Sequence, residues 1–281
     1  MKHQRTIAQR TAAQGYTLVE VMVAITISVF LLMGLFSILQ QTRQASTATS
    51  GLAQLQDDER VAMTILTDTI QQAGYVPEAN GSGASLFAVD TPTFPYAGQI
   101  FSAGSGPVAG DRLTLRYVLG SNDTALSCLG QQNTSTGDVL YKPIFQIDTF
   151  NGVNALTCSP NNGVAEEPLV NNVVNLTFQF AVNTTSASSI TASNAVGPNT
   201  ETSNATGYGC PGDTYIKTAS MTQYDWTNVC AVKVDIVFLN PLYQPPNQPN
   251  PTPGQPQYVV FERVITVQSK SGVNVSIVSQ T

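Results

Sequence analysis

The sequence predicts an α+β fold: a long N-terminal α-helix, hydrophobic in its first half, packed through its second half on an antiparallel β-sheet head with long loops. Three observations carry that expectation. Residues 16–39 are an apolar run with no charge from Val21 to Leu39. Residues 40–74 hold no proline and repeat apolar side chains every three to four positions, the period of a helix with one buried face. From residue 75 to 281 the pattern changes to period-two alternation, interrupted by stretches rich in Asn, Ser, Thr, Gly and Pro, as expected of strands and their connections.

The chain opens on a basic leader, residues 1–15. It carries Lys2, Arg5 and Arg10, has no acid, and ends in Gly15. Such a segment stays on the cytoplasmic side of a membrane. Residues 16–39 then supply 24 positions, and at about 1.5 Å per residue a helix of this length crosses a hydrocarbon core of roughly 30 Å. Thr17, Thr26, Ser28, Gly34 and Ser37 interrupt the run only mildly. Hydropathy alone reads as an uncleaved signal anchor. A secretory signal peptide fits poorly: the run is long for an apolar signal core, and Gln40-Gln41-Thr42-Arg43 follows it instead of a small-residue cleavage site. Glu20 is the odd member, because a carboxylate beside hydrocarbon costs free energy and usually marks function.

The helix continues through residues 40–74. Leu52, Leu55, Ala62, Ile65, Leu66, Ile70 and Ala73 form its apolar stripe, opposite Asp57, Asp58, Arg60, Thr64, Asp68 and Gln71. Gly34 and Gly51 are candidate kinks, and Gly74 with Pro77 supplies the stop. From Tyr16 to Ala73 such a helix reaches about 85 Å. Its first half has no water-soluble partner, and its second half needs a domain to cover the stripe.

Residues 75–281 are enough for one β-rich head. Leu113, Leu115, Tyr117 and Leu119 alternate with Arg112, Thr114 and Arg116, which predicts one strand over 112–119. Val174, Leu176, Phe178, Phe180 and Val182 alternate with Asn175, Thr177 and Gln179. Val232, Val234, Ile236 and Phe238 alternate with Lys233 and Asp235, and Val259, Phe261, Ile265 and Val267 with Glu262 and Thr266. A weaker strand spans 141–148 and is broken by Pro143. These read as one antiparallel sheet with a face on the helix and a face toward solvent. Residues 183–209 and 241–257 are a Ser/Thr/Asn-rich excursion and a proline-rich loop.

Composition excludes several functions. Removing the three leader bases leaves 9 of 12 Lys and Arg against 18 Asp and Glu. A chain so acidic lacks the electrostatic drive for nucleic acid, so no direct nucleic-acid binding is expected. The single histidine, His3, lies in the leader. A His-based catalytic triad and a zinc site of the usual kind are therefore missing from the rest. No enzyme and no cofactor are expected. Asp123, Asp138 and Asp213 could in principle ligate calcium, but no D-x-D-x-D-G pattern supports a metal site. The four cysteines are even in number and on the exported side, with no C-x-x-C pair, which favours two disulfides. Of three possible pairings, Cys128–Cys158 and Cys210–Cys230 are expected because each closes a local loop.

The segment GYTLVEVMVAITISVFLLMG at residues 15–34 resembles the N-terminus of type IV prepilins and of the related type II secretion pseudopilins. The resemblance implies a pilin-like fold and a prepilin leader over 1–15. It implies cleavage between Gly15 and Tyr16 by the prepilin peptidase, and N-methylation of Tyr16, which stands where phenylalanine is usual. It also implies that Glu20 pairs with the N-terminal amine of a neighbouring subunit during assembly. Residues 62–75, AMTILTDTIQQAGY, are similar to the helix end of PilW-type minor pilins. Asp111–Leu115, the stretch from Ser127 to Gly130 and the stretch from Val259 to Val264 follow in family-like order.

That second likeness implies a low-copy minor pilin of the priming or tip complex, supporting adhesion, twitching motility or DNA uptake. Its implied partners are other minor pilins, the major pilin, a large tip adhesin and the inner-membrane assembly platform. The implied location is first the inner membrane, single-pass with the head in the periplasm, then the pilus at the cell surface. A J-type pseudopilin of type II secretion is one alternative. A membrane-tethered extracytoplasmic binding domain is another, of a different class.

Overall fold

In the computed structural model of the chain the described residues are 16–77, 87–121, 123–161, 164–182, 214–243 and 255–270. The chain divides after Gly51 into two compact units. The helix α1 is assigned as one element from Leu18 to Gln71. It passes through Gly34 and Gly51, so neither candidate kink ends it. Within the first unit every described side chain from 16 to 47 is exposed. Within the second, Leu55, Ala62, Met63, Leu66, Thr69 and Ile70 are buried.

The helix stops where glycine allows it. After Gln71 a turn leads to Gly74, whose φ of 75° lies in the left-handed region that glycine enters at little cost. A side chain there would also meet Ser269 Oγ at 2.7 Å. Ser269 belongs to a short 3₁₀ turn, Gln268–Lys270, and donates to the Ala73 carbonyl at 2.7 Å. The turn just past the helix end is thereby held by the far end of the head.

The head is antiparallel throughout, but it holds more than the single sheet expected. Strands β1 (Phe101–Ser105), β2 (Asp111–Leu115), β5 (Ile144–Phe150), β6 (Val153–Ser159) and β7 (Glu167–Asn171) form one sheet in the order β1-β2-β5-β6-β7. Strands β8 (Val173–Val182), β9 (Thr214–Lys217), β10 (Val229–Leu239) and β11 (Tyr258–Thr266) form another in the order β11-β10-β8-β9. The short pair β3 (Tyr117–Leu119) and β4 (Val139–Tyr141) stands apart. A single helical turn of five residues, α2 (Gln223–Thr227), is fixed by a capping box between Thr222 and Asp225 and lays Trp226 on Phe180.

Three of the four segments read from strict alternation fold as read. On β10, Val232, Val234, Ile236 and Phe238 are buried between the more open Lys233, Asp235 and Val237. They join Leu176, Phe178 and Phe180 of β8 and the stripe of α1 in one core. The two large sheets are tied by polar and steric contact. The Phe178 N–H donates to the Asp111 carboxylate at 3.0 Å. Gly110, at φ 69°, brings its Cα so close to the Leu176 backbone that no Cβ would fit.

The fourth segment corrects the expectation of one strand over 112–119. It splits into β2 and β3, which belong to different sheets, and the break is Arg116. Alternation placed Arg116 on the solvent face with Arg112 and Thr114, yet it is 1 % exposed, and Thr114 is also buried. The chain here is threaded under the helix exit: Gly74 N–H donates to the Arg116 carbonyl at 2.8 Å, and Val118 N–H to the Tyr75 carbonyl at 2.9 Å. Backbone on both flanks leaves no open face. Pro143 separates β4 from β5, as its missing N–H requires. Residues 183–209, Asp213 and most of the proline-rich loop lie outside the described residues.

Candidate functional site

The N-terminal end of α1 is built from the sequence Tyr16-Thr17-Leu18-Val19-Glu20. Tyr16 and Thr17 precede the first helical residue, Leu18. A helix start leaves four backbone N–H groups without partners, and in apolar surroundings each would be costly. Thr17 answers part of this: its Oγ1 accepts from the Glu20 N–H at 3.3 Å, and its carbonyl accepts from Val21 N–H at 3.2 Å. Thr17 is the helix cap, and T-x-x-E is the sequence form of a capping box.

The hydroxyls further along are closed on themselves. Thr26 Oγ1 donates to the Val23 carbonyl at 2.8 Å, Ser28 Oγ to the Ala24 carbonyl at 2.7 Å, and Thr42 Oγ1 to the Ile38 carbonyl at 2.9 Å. These bonds remove the polar cost of the mild interruptions. What remains on the surface is apolar: Val21, Ile25, Phe30, Leu31, Leu32 and Phe36 are all exposed. The element has the length and composition to cross a membrane.

Glu20 is the one charge in this surface. It lies in the first turn of α1, where the helix dipole favours an anion, and among the described residues no cation pairs with it. Tyr16 is 82 % exposed beside it. Gly15, expected to precede the cut, lies outside the described residues. The segment therefore offers an accessible residue at the expected new N-terminus, a free carboxylate four positions on, and an apolar cylinder behind them.

The described part of the head presents loops held by a disulfide and side-chain hydrogen bonds. Cys128 and Cys158 are joined in a disulfide that anchors the loop after β3 to β6. The Tyr75 hydroxyl donates to Asp123 at 3.1 Å, and Gly120 N–H donates to the same carboxylate at 2.8 Å. Asn133 donates through Nδ2 to the Leu119 and Gly137 carbonyls, both at 2.9 Å. Asp123 thus closes a loop, and Asp138 is exposed at its far end. Among the described residues no group of three His, Cys, Asp or Glu is placed to hold a metal. Cys230 is also disulfide-bonded; Cys210, its expected partner, lies outside the described residues.

Two structural residues escaped the sequence reading. Arg116 donates from Nε to the Gln99 carbonyl at 2.8 Å, from Nη1 to that of Ala88 at 2.7 Å, and from Nη2 to those of Phe87 and Gln99. Its guanidinium also lies 4.2 Å from the Phe94 ring centroid and 5.4 Å from that of Phe87, within cation–π range. Burial lowers its pKa to about 10, against the pull of Asp90, so it stays charged at neutral pH. Next to it Tyr117 is buried and stacked on Tyr141 at 5.7 Å, and burial raises its hydroxyl pKa. The available signal was the unbroken apolar run Tyr117-Val118-Leu119, which does not fit a two-faced strand. The other missed residue is Thr17: the capping spacing was present, but the charge of Glu20 drew the functional reading.

Residues 10–36 match the prokaryotic N-terminal methylation motif, and residues 144–276 match the family described as Type IV Pilus-assembly protein W, PilW. A pilin-like protein PilA3 of Thermus thermophilus is 29 % identical over 167 residues, covering 59 % of this chain and 66 % of that protein's length. A solved type IV-like pilin of Thermus thermophilus aligns at a TM-score of 0.36 and 10 % identity, over 77 % of this chain and 98 % of its own. An exposed apolar helix headed by a methylation motif and followed by an antiparallel head makes the chain similar to type IV pilin-like proteins. The head, from β5 through β11, is similar to the PilW family.

Proposed function

We propose that this chain is a minor pilin of a type IV pilus, a subunit of the priming or tip complex that initiates pilus assembly. The observation that supports it most is the pairing, in one chain, of the methylation motif over an exposed apolar helix with a PilW domain. On this reading the prepilin peptidase hydrolyses the bond between Gly15 and Tyr16 on the cytoplasmic face, and a methyl group is then placed on the Tyr16 amine. The new amine is cationic and enters a low-dielectric helix bundle, where an unpaired charge is expensive. Glu20 of one subunit then pairs with the amine of its neighbour. The partners are other minor pilins, the major pilin, a tip adhesin and the inner-membrane platform. The protein resides in the inner membrane with its head in the periplasm before it enters the pilus. Adhesion, twitching motility or DNA uptake follow from the assembled fibre.

Intact-mass and N-terminal analysis of protein from sheared pili tests this directly. The expected N-terminus is methylated Tyr16; a chain beginning elsewhere would defeat the processing step. Glu20→Ala is expected to be cleaved yet to be lost from sheared pili. Its recovery there at wild-type level would exclude the pairing role.

A further inference from the structure

We propose that the open edge of β11 is a docking site for a β-strand of a different protein, apolar at alternate positions and carrying a lysine or arginine that comes to lie beside Glu262. The inference concerns the head alone and does not depend on how the N-terminus is processed.

Four strands form the edges of the two large sheets: β1 and β7 in the first, β9 and β11 in the second. An unpaired edge offers its backbone N–H and C=O groups to any extended chain, and proteins blunt such edges with short strands, proline, lysine or bulges. Three of the four are blunted. Strand β1 has five residues and a glycine, β7 carries Pro168 and pairs across a register shift, and β9 has four residues and ends in Lys217. Strand β11 has nine residues without proline, lysine or glycine, and its register with β10 runs unshifted from Tyr258 to Thr266. Among the described residues no strand pairs with its other side.

The hydrogen bonds at the two ends of β11 assign the backbone groups between them. Asn240 N–H donates to the Gln257 carbonyl and Val267 N–H to the Cys230 carbonyl, both at 2.9 Å. In an antiparallel pair, hydrogen-bonded residues alternate with non-hydrogen-bonded ones, so the odd-numbered residues of β11 bond to β10. The N–H and C=O groups of Tyr258, Val260, Glu262, Val264 and Thr266 therefore face the open edge. The side chains of the same five residues are exposed on the solvent face, beside Leu239 of β10. Unpaired backbone groups and apolar side chains thus coincide, as strand addition requires.

Charge selects the occupant. Glu262 is the midpoint of β11, and Asp235 of β10 stands directly opposite it. Lys233 binds Glu262 at 2.6 Å. Thr177 Oγ1 donates to Asp235 Oδ2 at 3.4 Å, while Asp235 Oδ1 is buried with no hydrogen-bond partner. One lysine thus serves two carboxylates, and the row carries negative charge in excess. A second copy of β11 does not relieve this: antiparallel pairing over the full strand sets Glu262 against Glu262, and like charges in register repel. A different strand relieves it with lysine or arginine at that position, and with apolar side chains two residues to either side to meet Val260 and Val264.

The probe is a peptide of the length of β11, with valine at alternate positions, lysine at its centre and threonine between. It is symmetric, so either direction sets its lysine beside Glu262. It is added to the full-length chain in detergent micelles, and amide hydrogen exchange is read residue by residue. In the chain alone the N–H groups of Val260, Glu262 and Val264 should exchange faster than those of Phe261 and Arg263, and the peptide should slow them about tenfold or more. A peptide with glutamate in place of the central lysine should bind about fivefold more weakly or worse. Glu262→Lys should reverse the preference between the two peptides, with retained protection at Phe261 and Ile265 establishing that the variant is folded. Slow exchange at Val260, Glu262 and Val264 before peptide is added would overturn the proposal, because the edge would already be covered. So would protection that rises with chain concentration alone, since the occupant would then be a second copy. Equal binding of the two peptides to the wild-type chain, or no protection by either, would overturn it as well.

Discussion

The two halves of α1 obey one backbone rule and opposite surface rules. Leu31, in the first unit, is 64 % exposed, whereas Leu66, in the second, is fully buried. The first half is apolar on all sides, which in a soluble chain would be a liability. The second half is apolar on one stripe only, with Asp57, Arg60, Thr64 and Asp68 exposed opposite it. The difference separates two uses of hydrophobic surface. In the second half burial inside the chain stabilises the head; in the first the apolar surface stays exposed, on an element long and apolar enough to cross a membrane.

Substituting matched leucines gives the sharpest way to break this contrast. Leu66→Ala removes a fully buried side chain from the core shared by α1 and the sheets, and large-to-small changes at such sites cost about 3–5 kcal/mol. Urea unfolding of the detergent-solubilised chain, followed by Trp226 fluorescence, should show that loss. Leu31→Ala should leave the same transition where it is, because Leu31 is exposed among the described residues. An equal loss at both positions would mean that the first half is also held by the head.

Arg116→Met comes next. Methionine fills the space between Phe87 and Phe94 but leaves the carbonyls of Ala88 and Gln99 without their donor, while that of Phe87 keeps the Gly98 N–H. Buried acceptors left unpaired cost about 1–3 kcal/mol each, less what neighbours recover, so a loss of about 2–4 kcal/mol is expected. Arg116→Lys should recover only part of it, since an ammonium cannot reproduce a planar fork of donors. A neutral result in the same urea assay would show that the guanidinium merely occupies volume.

These residues also explain what was legible in the sequence. The helix could be read because its stripe repeats over several turns, and β8, β10 and β11 because alternation follows from one buried face. Arg116 could not, because its environment comes from residues 87–99 and from the helix exit, distant in sequence and adjacent only after folding. Strand β1, Phe-Ser-Ala-Gly-Ser, and β7, Glu-Pro-Leu-Val-Asn, carry little alternation; their pairing in the first sheet outweighs weak local propensity. Tyr16 and Glu20 stood out because an aromatic residue and an acid are conspicuous at the head of an apolar run. Thr17 was passed over because a cap is a relation between a side chain and a backbone N–H three residues on, which composition does not reveal.

The smallest effect belongs to the solvent face of the second sheet, where Lys233, Asp235 and Glu262 stand among the exposed Leu239, Tyr258, Val260 and Val264. Asp235 of β10 stands directly opposite Glu262 of β11, and like charges in register repel. Lys233 relieves this by binding Glu262 at 2.6 Å. Its pKa is raised above the ordinary 10.5, first by the hydrogen bond to Glu262; desolvation opposes this, and Asp235, Glu262 and Tyr215 add smaller charge attraction. A lysine whose folded pKa is raised stabilises fully below its unfolded value, and the benefit disappears as pH rises through the folded one. Lys233→Met should therefore lower the urea midpoint slightly at pH 7, by less than either core substitution, because exposed pairs are screened. The gap between variant and wild type should close above pH 10.5. A gap that persisted there would assign the lysine's contribution to its alkyl stem, and the sheet's outer face would then share the packing logic of the core.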